Sequence, residues 1–407
     1  MNKKLLQIDS CLGVLSTGRI TESIAKLAIV QGWECHIMHG ARYLGNSIQH
    51  HYQVSSLLGE YIHNAESMLL DRHGLGSRQA TKRIIEKIKE IKPDVVHLHC
   101  VHGYYINYKY LFEYLNQTDI PIVWTFHDCW AFTGHCTYFD KINCLKWQTK
   151  CYECDLLSDY PKSLFRDRSE KNYKLKKKLF TNIKNLTIVS VSNWLENLVK
   201  QSFFCNSKII TIHNGEDLTT FRPIIQSKLV QNLNLEQKNI ILGVAAVWDE
   251  RKGLEDFIQL SRILDDNFKI VLVGLNERQI KQIPPEIIGI PKTNNATELA
   301  ELYTAAMVFV NPTWEDNFPT TNLESLACGT PLVTYRTGGS VEAVSHDTGY
   351  IIEKGDIPEL IKVIKNVKEK GKQSFSIACR KRAVEFFNKE DRFKEYLDLY
   401  ETILSNA

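Results

Sequence analysis

The sequence predicts an α/β protein of two domains, each a parallel sheet covered by helices. Three observations carry this prediction. Short apolar runs that read as buried strands alternate with helical patterns along both halves of the chain. The 407 residues exceed the usual size of one hydrophobic core. The second half then repeats the strand–loop–helix plan of the first, after a polar stretch rich in Gln, Asn and Lys.

In the first half, residues 4–9 read as a strand running into a loop at 13–19. Helix 20–31 places Ile24, Leu27 and Ala28 on one face and stops at Gly32. A strand follows at 34–39, then an amphipathic helix at 82–92 ended by Pro93, then a strand at 95–99. Strand 122–126 delivers His127 and Asp128 to the sheet edge, and strands 186–191 and 208–212 close this half. The hinge is expected between His213 and Asn239. In the second half, strand 240–247 leads into Asp249, Glu250, Arg251, Lys252 and Gly253, then a helix through Leu264. Strand 269–273, a helix from about 297, strand 307–310, helix 321–327 and strand 331–335 continue the alternation. One long helix, 375–405, aromatic on one side, is expected to cross back and brace the first domain. The domain bounds expected are 1–212, with a Cys-rich insert at about 129–160, then 213–386, and a returning helix at 387–407.

Composition narrows the function. A hydrophobic fraction of 43% and a charged fraction of 24% are ordinary for a soluble globular protein. A net charge of +3 and the lack of any RNA or DNA motif argue against nucleic acid as a partner. No apolar run is long enough to span a bilayer, and Gln7 and Asp9 break any signal-peptide core. A cytoplasmic location is the expectation, so the 11 cysteines are read as thiols or metal ligands rather than disulfides.

The chemistry concentrates after the strand 307–310. The loop that follows carries Asp316 and Glu324, with seven residues between them, and a helix starts beside them. In an open α/β sheet that strand end is the ligand crevice, and helix N–H groups there favour an anion. Acids, hydroxyls and helix amides together suit a ligand with both sugar hydroxyls and phosphate. In the first half, the loop at 13–19 has a glycine suited to close approach of a phosphate, without forming a GxGxxG fingerprint. His97 and His99 alternate on a strand and so are expected on opposite faces, His97 structural and His99 facing the ligand side.

The chain resembles glycosyltransferase family 4, the retaining enzymes of the GT-B fold, over nearly its whole length. The residues carrying the resemblance are Ser16 to Ile20, Asp94 to His99, Thr125 to Asp128, Val191 to Leu195, Asn214-Gly215 with Asp217, Lys252-Gly253, Trp314 to Pro331 and Thr337 to Glu342. The central insert is most similar to bacterial enzymes building capsular, colanic-acid-type or other exopolysaccharides. The resemblance implies two Rossmann-like domains facing across a cleft and a UDP- or GDP-linked sugar donor. It also implies a glycan or lipid-linked acceptor and front-face transfer with retention, with no catalytic metal. By the same resemblance His127 contacts the donor sugar and Lys252 the departing diphosphate. Asp316 stands in the first acid's place, at the sugar, and Glu324 in the second acid's, at the ribose. Gly18, Arg19, Arg251, Asn317, Phe318, Pro319, Thr320 and Thr321 would complete the donor site, with His99 and Asp128 on the acceptor side. Two departures stand out: Asp316 where the family more often has glutamate, and Val247 where it has arginine. Arg251 or Arg19 is the candidate to replace that arginine. Two other readings stay open, a GT-B sugar-nucleotide epimerase and a sugar-nucleotide-binding scaffold without activity.

Two further features lie in the first half. Cys136, Cys144, Cys151 and Cys154 offer a tetrahedral thiolate set for structural zinc, with His135 as a spare ligand and buried free thiols as the alternative. Residues 162–184 carry nine basic against two acidic side chains, interleaved with aromatic and aliphatic ones. Such a stretch suits either peripheral contact with anionic lipid or a solvated helix packed on the sheet.

Overall fold

The computed structural model describes residues 2–44, 48–224 and 228–406, so residues 225–227 of the expected hinge lie outside the description. Two compact units divide the chain, Met1–His213 with Phe393–Ala407, and Asn214–Arg392.

The first unit is built in the order β1 (Lys4–Leu12), α1 (Leu15–Val30), β2 (Glu34–Tyr43), β3 (His51–Gln53), α2 (Leu57–Leu70), α3 (Arg78–Ile91), β4 (Val95–Leu98), α4 (Tyr108–Leu115), β5 (Ile122–Phe126), α5 (Ser169–Phe180), β6 (Leu186–Ser190), α6 (Asn193–Gln201) and β7 (Lys208–Thr211). Its seven strands are parallel, in the order β3-β2-β1-β4-β5-β6-β7. The central strands are buried on both faces, so β5 reads as the unbroken run Ile122–Phe126 rather than as alternation. Successive side chains serve opposite cores. Leu6, Val96 and Ile122 pack with α3, α4 and α5, while Leu5, Val95 and Val123 pack with α1 and the last helix.

The second unit continues with α7 (Lys228–Asn232), β8 (Asn239–Val244), α8 (Leu254–Ser261), β9 (Phe268–Val273), α9 (Glu277–Ile280), β10 (Ile287–Ile290), α10 (Ala296–Ala305), β11 (Val308–Asn311), α11 (Thr320–Ala327), β12 (Leu332–Tyr335), β13 (Gly349–Ile352), α12 (Ile357–Lys370) and α13 (Gln373–Phe386), and α14 (Lys389–Ser405) leads back into the first unit from Phe393. Its six parallel strands run β10-β9-β8-β11-β12-β13. Strand order reverses between β1 and β4 in one sheet and between β8 and β11 in the other. At such a reversal neighbouring loops diverge to opposite faces and leave a crevice beyond the strand ends.

The structure corrects three local expectations. Helix α1 starts at Leu15, not at residue 20, so Ser16 to Arg19 form its first turns instead of a loop. Gly13 makes the turn before it with φ +71°, and a Cβ there would lie 2.0 Å from the Leu44 carbonyl oxygen. The single long helix at the C-terminus is two, α13 and α14. They are separated where Glu216 N–H donates to the Phe387 carbonyl at 2.7 Å and Lys389 N–H to the Glu216 carbonyl at 3.0 Å. That short parallel bridge takes the hydrogen bonds a continuous helix would need. Finally, β3, β10, β13 and α2 were not anticipated, because three are brief edge strands and α2 lacks an inward apolar stripe.

Candidate active site

In the second unit, the β8 and β11 ends bring Lys252 and Asp316 together. The Lys252 ammonium donates to Asp316 Oδ2 at 2.5 Å, though 64 residues separate them. Burial raises the Asp316 carboxyl, but the Lys252 and Arg251 charges and two hydrogen bonds outweigh it and hold it below its ordinary range. Gly253 permits this geometry: its φ is +73°, and a Cβ there would lie 2.3 Å from the Pro312 carbonyl oxygen. Arg251 Nη1 donates to the Glu315 carbonyl at 3.0 Å, and the Trp314 N–H donates to the Arg251 carbonyl at 2.8 Å. The two loops are thus laced by main chain as well as charge. Val247 is exposed, and Arg251 is the cation beside Lys252.

Helix α11 begins next to this pair, with Pro319 as its cap residue and Thr320 and Thr321 in its first turn. Its amides point out of the strand end, where an anion is favoured. Glu324 lies one turn on, buried, and accepts a hydrogen bond from the Tyr303 hydroxyl at 2.8 Å. Burial, then the neighbouring Glu324 charge, pushes the Tyr303 phenol well up, so it stays a donor. The loop between the acids is fixed from its own unit: Asn214 Nδ2 donates to the Phe318 carbonyl at 3.0 Å, and Asn317 N–H to Asp316 Oδ1 at 2.9 Å. Tyr303 is a site residue that sequence reading missed. It lies 21 residues before Glu324 on α10, with no motif to mark it.

In the first unit, the β4 and β5 ends carry a chain of imidazoles. His97 and His99 are two residues apart at the end of β4, and residues two apart along a strand share a face, so the expectation of opposite faces does not follow from alternation. The His97 and His99 rings are 4.0 Å apart, not on opposite faces as expected. His97 is bonded to the Tyr400 hydroxyl at 2.6 Å and to Thr125 Oγ1 at 2.8 Å, which makes it part of the core. His99 reaches Gln7 Oε1 at 3.0 Å through Nε2 and His127 Nε2 at 3.2 Å through Nδ1.

These contacts fix the tautomers. Gln7 Nε2 donates to the Thr21 carbonyl at 3.0 Å, so Gln7 Oε1 faces His99 and must accept. Burial pushes the His99 imidazole well down and His127 to about 4, so both are neutral near pH 7. His99 then accepts at Nδ1 and His127 donates from Nε2, so the neutral His127 ring carries its lone pair on Nδ1. Asp128 pairs with His102 Nε2 at 3.0 Å and accepts from the Trp130 N–H at 2.8 Å. Burial raises Asp128, but His102 outweighs it and the carboxyl lies below its ordinary range. His102 is a second partner the sequence did not single out. Gly18 is buried against Cys11, and Arg19 is exposed on α1.

In the insert after β5, all four cysteines are free thiols. A hydrogen bond between Cys136 and Cys154 raises the first and lowers the second. Among the described residues no group of three or more His, Cys, Asp or Glu could hold a metal ion, so the arrangement gives the zinc expectation no support.

A family model described as Glycosyltransferase Family 4 matches residues 18–220, and one described as Glycosyl transferases group 1 matches 226–383. The chain is a family 4 glycosyltransferase. This glycosyltransferase is 22% identical over 326 residues to an Escherichia coli (strain K12) protein named a colanic acid biosynthesis glycosyl transferase, WcaC. That match covers 76% of the chain and 77% of the relative. It is 27% identical to N,N'-diacetylbacillosaminyl-diphospho-undecaprenol alpha-1,3-N-acetylgalactosaminyltransferase of Campylobacter jejuni, over 54% of the chain and 60% of that protein. The capsular polysaccharide biosynthesis glycosyltransferase CapM of Staphylococcus aureus is 23% identical over 54% of the chain and 62% of its own length. Among solved structures, the fold matches sucrose-phosphate synthase from Thermosynechococcus elongatus with a TM-score of 0.72 and 16% identity, covering 100% of both chains. It also matches HepE of Anabaena in complex with UDP-glucose, with a TM-score of 0.66 and 13% identity, over 98% of this chain and 99% of that one. The fold is therefore GT-B, two parallel-sheet α/β domains.

Proposed function

We propose that this glycosyltransferase moves a sugar from a UDP- or GDP-linked donor to a glycan or lipid-linked acceptor, with retention, in bacterial surface-polysaccharide assembly. The observation that carries the reading is the convergence of Lys252, Asp316, the α11 amides and Glu324 at the switch point of the second sheet. Lys252 and Arg251 supply fixed positive charge for a departing diphosphate, and the α11 N-terminus adds amide donors to it. Arg251 thereby takes the place of the arginine absent at Val247. Glu324, oriented by Tyr303, accepts from the ribose hydroxyls. Asp316, held ionised by Lys252, meets the donor sugar and releases part of the lysine's charge to the phosphates when they bind. Gly18 and Arg19 at the start of α1, Asn317, Phe318, Pro319, Thr320 and Thr321 complete the donor contacts. His127 contacts the donor sugar, with His99 behind it and Asp128 on the acceptor side. The acceptor hydroxyl attacks from the face the nucleotide leaves and passes its proton to the donor phosphate, so no carboxylate base and no catalytic metal are needed.

A relative named for a diphospho-undecaprenol substrate supports a lipid-linked acceptor. Structures of HepE with UDP and with UDP-glucose support a uridine nucleotide donor. A cytoplasmic enzyme touching the inner membrane face fits that acceptor. No helix among the described residues is long and apolar enough to cross a membrane. Structural zinc at Cys136, Cys144, Cys151 and Cys154 is proposed from the cysteine spacing alone and requires the thiols to close on the ion, and metal analysis showing less than about half an equivalent per chain rejects it.

The test starts from nucleotide sugars ranked by thermal shift, followed by nucleoside diphosphate release. Turnover is expected to fall by about 100-fold or more in Lys252→Ala and in Glu324→Ala. Tight donor binding with no turnover against any lipid-linked acceptor gives the scaffold reading instead. A product anomer inverted relative to the donor, read by NMR, removes the mechanism.

A further inference from the structure

Helix α2 is turned inside out. Its buried side chains are His63 and Ser67, while Leu57, Leu58, Tyr61, Ile62, Leu69 and Leu70 face outward. Leu58 and Tyr61 are each 69% exposed and Ile62 is 62% exposed. The orientation is pinned by polar contacts. His63 Nε2 accepts from the Gly76 N–H at 3.0 Å, and Glu60 Oε1 accepts from the Ala41 N–H and the Ser55 hydroxyl, each at 2.6 Å. Rotating the helix to hide its leucines would break all of these and bury Glu60's partners unpaired.

A neighbouring loop extends the same surface. The Leu164 N–H donates to the Met68 carbonyl at 2.8 Å, which ties residues 162–166 to α2. Phe165 there is 72% exposed, beside the exposed cations Lys162 and Arg166, neither of which makes an ion pair among the described residues. Of the nearby acids, Glu60 accepts from the Ala41 N–H and the Ser55 hydroxyl, Glu66 pairs with Arg72 at 3.0 Å, and Asp167, next to Arg166, accepts from the Cys154 and Ser169 N–H groups at 2.7 Å each. An apolar patch edged by cations that make no ion pair among the described residues, with its carboxylates engaged in hydrogen bonds or an ion pair, matches an anionic lipid interface. Within the basic stretch 162–184 only this loop offers such a surface, because Tyr173, Leu179 and Phe180 of α5 are packed in the core.

We propose that α2 and the 162–166 loop seat the first unit on an anionic bilayer, with the α2 leucines and Phe165 at the acyl boundary and Lys162 and Arg166 at the headgroups. The purpose of such a seat rests on the lipid-linked acceptor proposed above, but its measurement does not. Full-length protein is floated with phosphatidylglycerol–phosphatidylethanolamine vesicles and with phosphatidylcholine vesicles. The wild type is expected to float with the anionic vesicles and much less with the neutral ones. Leu58→Glu/Ile62→Glu and Phe165→Glu are expected to lower partitioning by about tenfold or more, with unchanged Tm and unchanged donor hydrolysis in solution. Lys162→Gln/Arg166→Gln should lose the preference for anionic lipid. Wild type that does not float at low salt overturns the proposal, as do glutamate variants that float like wild type. A concentration-dependent dimer dissociated by the same glutamates, without flotation, overturns it and assigns the face to a second copy. Flotation without donor hydrolysis leaves this surface standing and removes the catalytic reading.

Discussion

Lys252 and Asp316 differ in how much of their role the sequence discloses. Each belongs to a recognisable motif, but their ion pair is a product of two loops meeting at one strand end. The same holds for His127, whose motif is visible, while its tautomer follows from Gln7 and Thr21, more than a hundred residues earlier. His97 and His99 were misjudged because strand alternation separates neighbouring residues, whereas residues two apart share a face, and their rings lie 4.0 Å apart. His127 also gives a pH prediction. Burial depresses its folded value from 6.5 to about 4. Above 6.5 the imidazole is neutral in both states and its contribution to stability is fully present. As pH falls toward 4 the unfolded chain takes up the proton first, so stability is lost over that window. Between pH 7 and 4.5, Tm of the wild type should therefore fall more steeply than that of His127→Gln. Parallel slopes would mean that the imidazole is not buried neutral.

At the level of elements, strands were the more legible class. Apolar runs between turn residues mark β5, β8 and β11 because both faces of a parallel strand are covered. Edge strands such as β10 and β13 are four residues long and give little pattern to read. Helix α2 escaped notice since its apolar residues do not face a core, which is the very property that marks it as a docking surface. Helix α8 provides the sharpest element-scale test. It starts at Gly253, whose left-handed φ and contact with the Pro312 carbonyl leave no room for a Cβ. Gly253→Ala should cost about 1–3 kcal/mol in stability and displace Lys252. Nucleoside diphosphate release should drop by about tenfold or more, since a misplaced charge loses its aim. Unaltered release and Tm would show that the turn tolerates a side chain.

For the molecule as a whole, two units each close their own core, and the chain enters the first unit twice. Helix α14 returns Phe393, Tyr396, Leu397 and Tyr400 to the face covered by α1, and the Tyr400 hydroxyl bonds His97. Those side chains are core of the first unit although the last residues of the sequence supply them. Tyr400→Ala should cost about 3–5 kcal/mol, read as a fall in the denaturant midpoint of the first unit's transition. Tyr400→Phe should cost less, keeping the ring and losing the hydroxyl bond. Equal midpoints for Tyr400→Ala and wild type would show that α14 is dispensable there. The sequence by itself determined the fold class, the alternation of strands and helices, and the acid and lysine motifs, because local apolar period and turn chemistry write these directly into the chain. Tertiary structure alone decided that Lys252 meets Asp316, that Tyr303 holds Glu324 and that His99 backs His127. It also decided that α2 turns its leucines outward. Each of these depends on which strand ends lie side by side, and strand order is set by packing across the sheet rather than by any one segment.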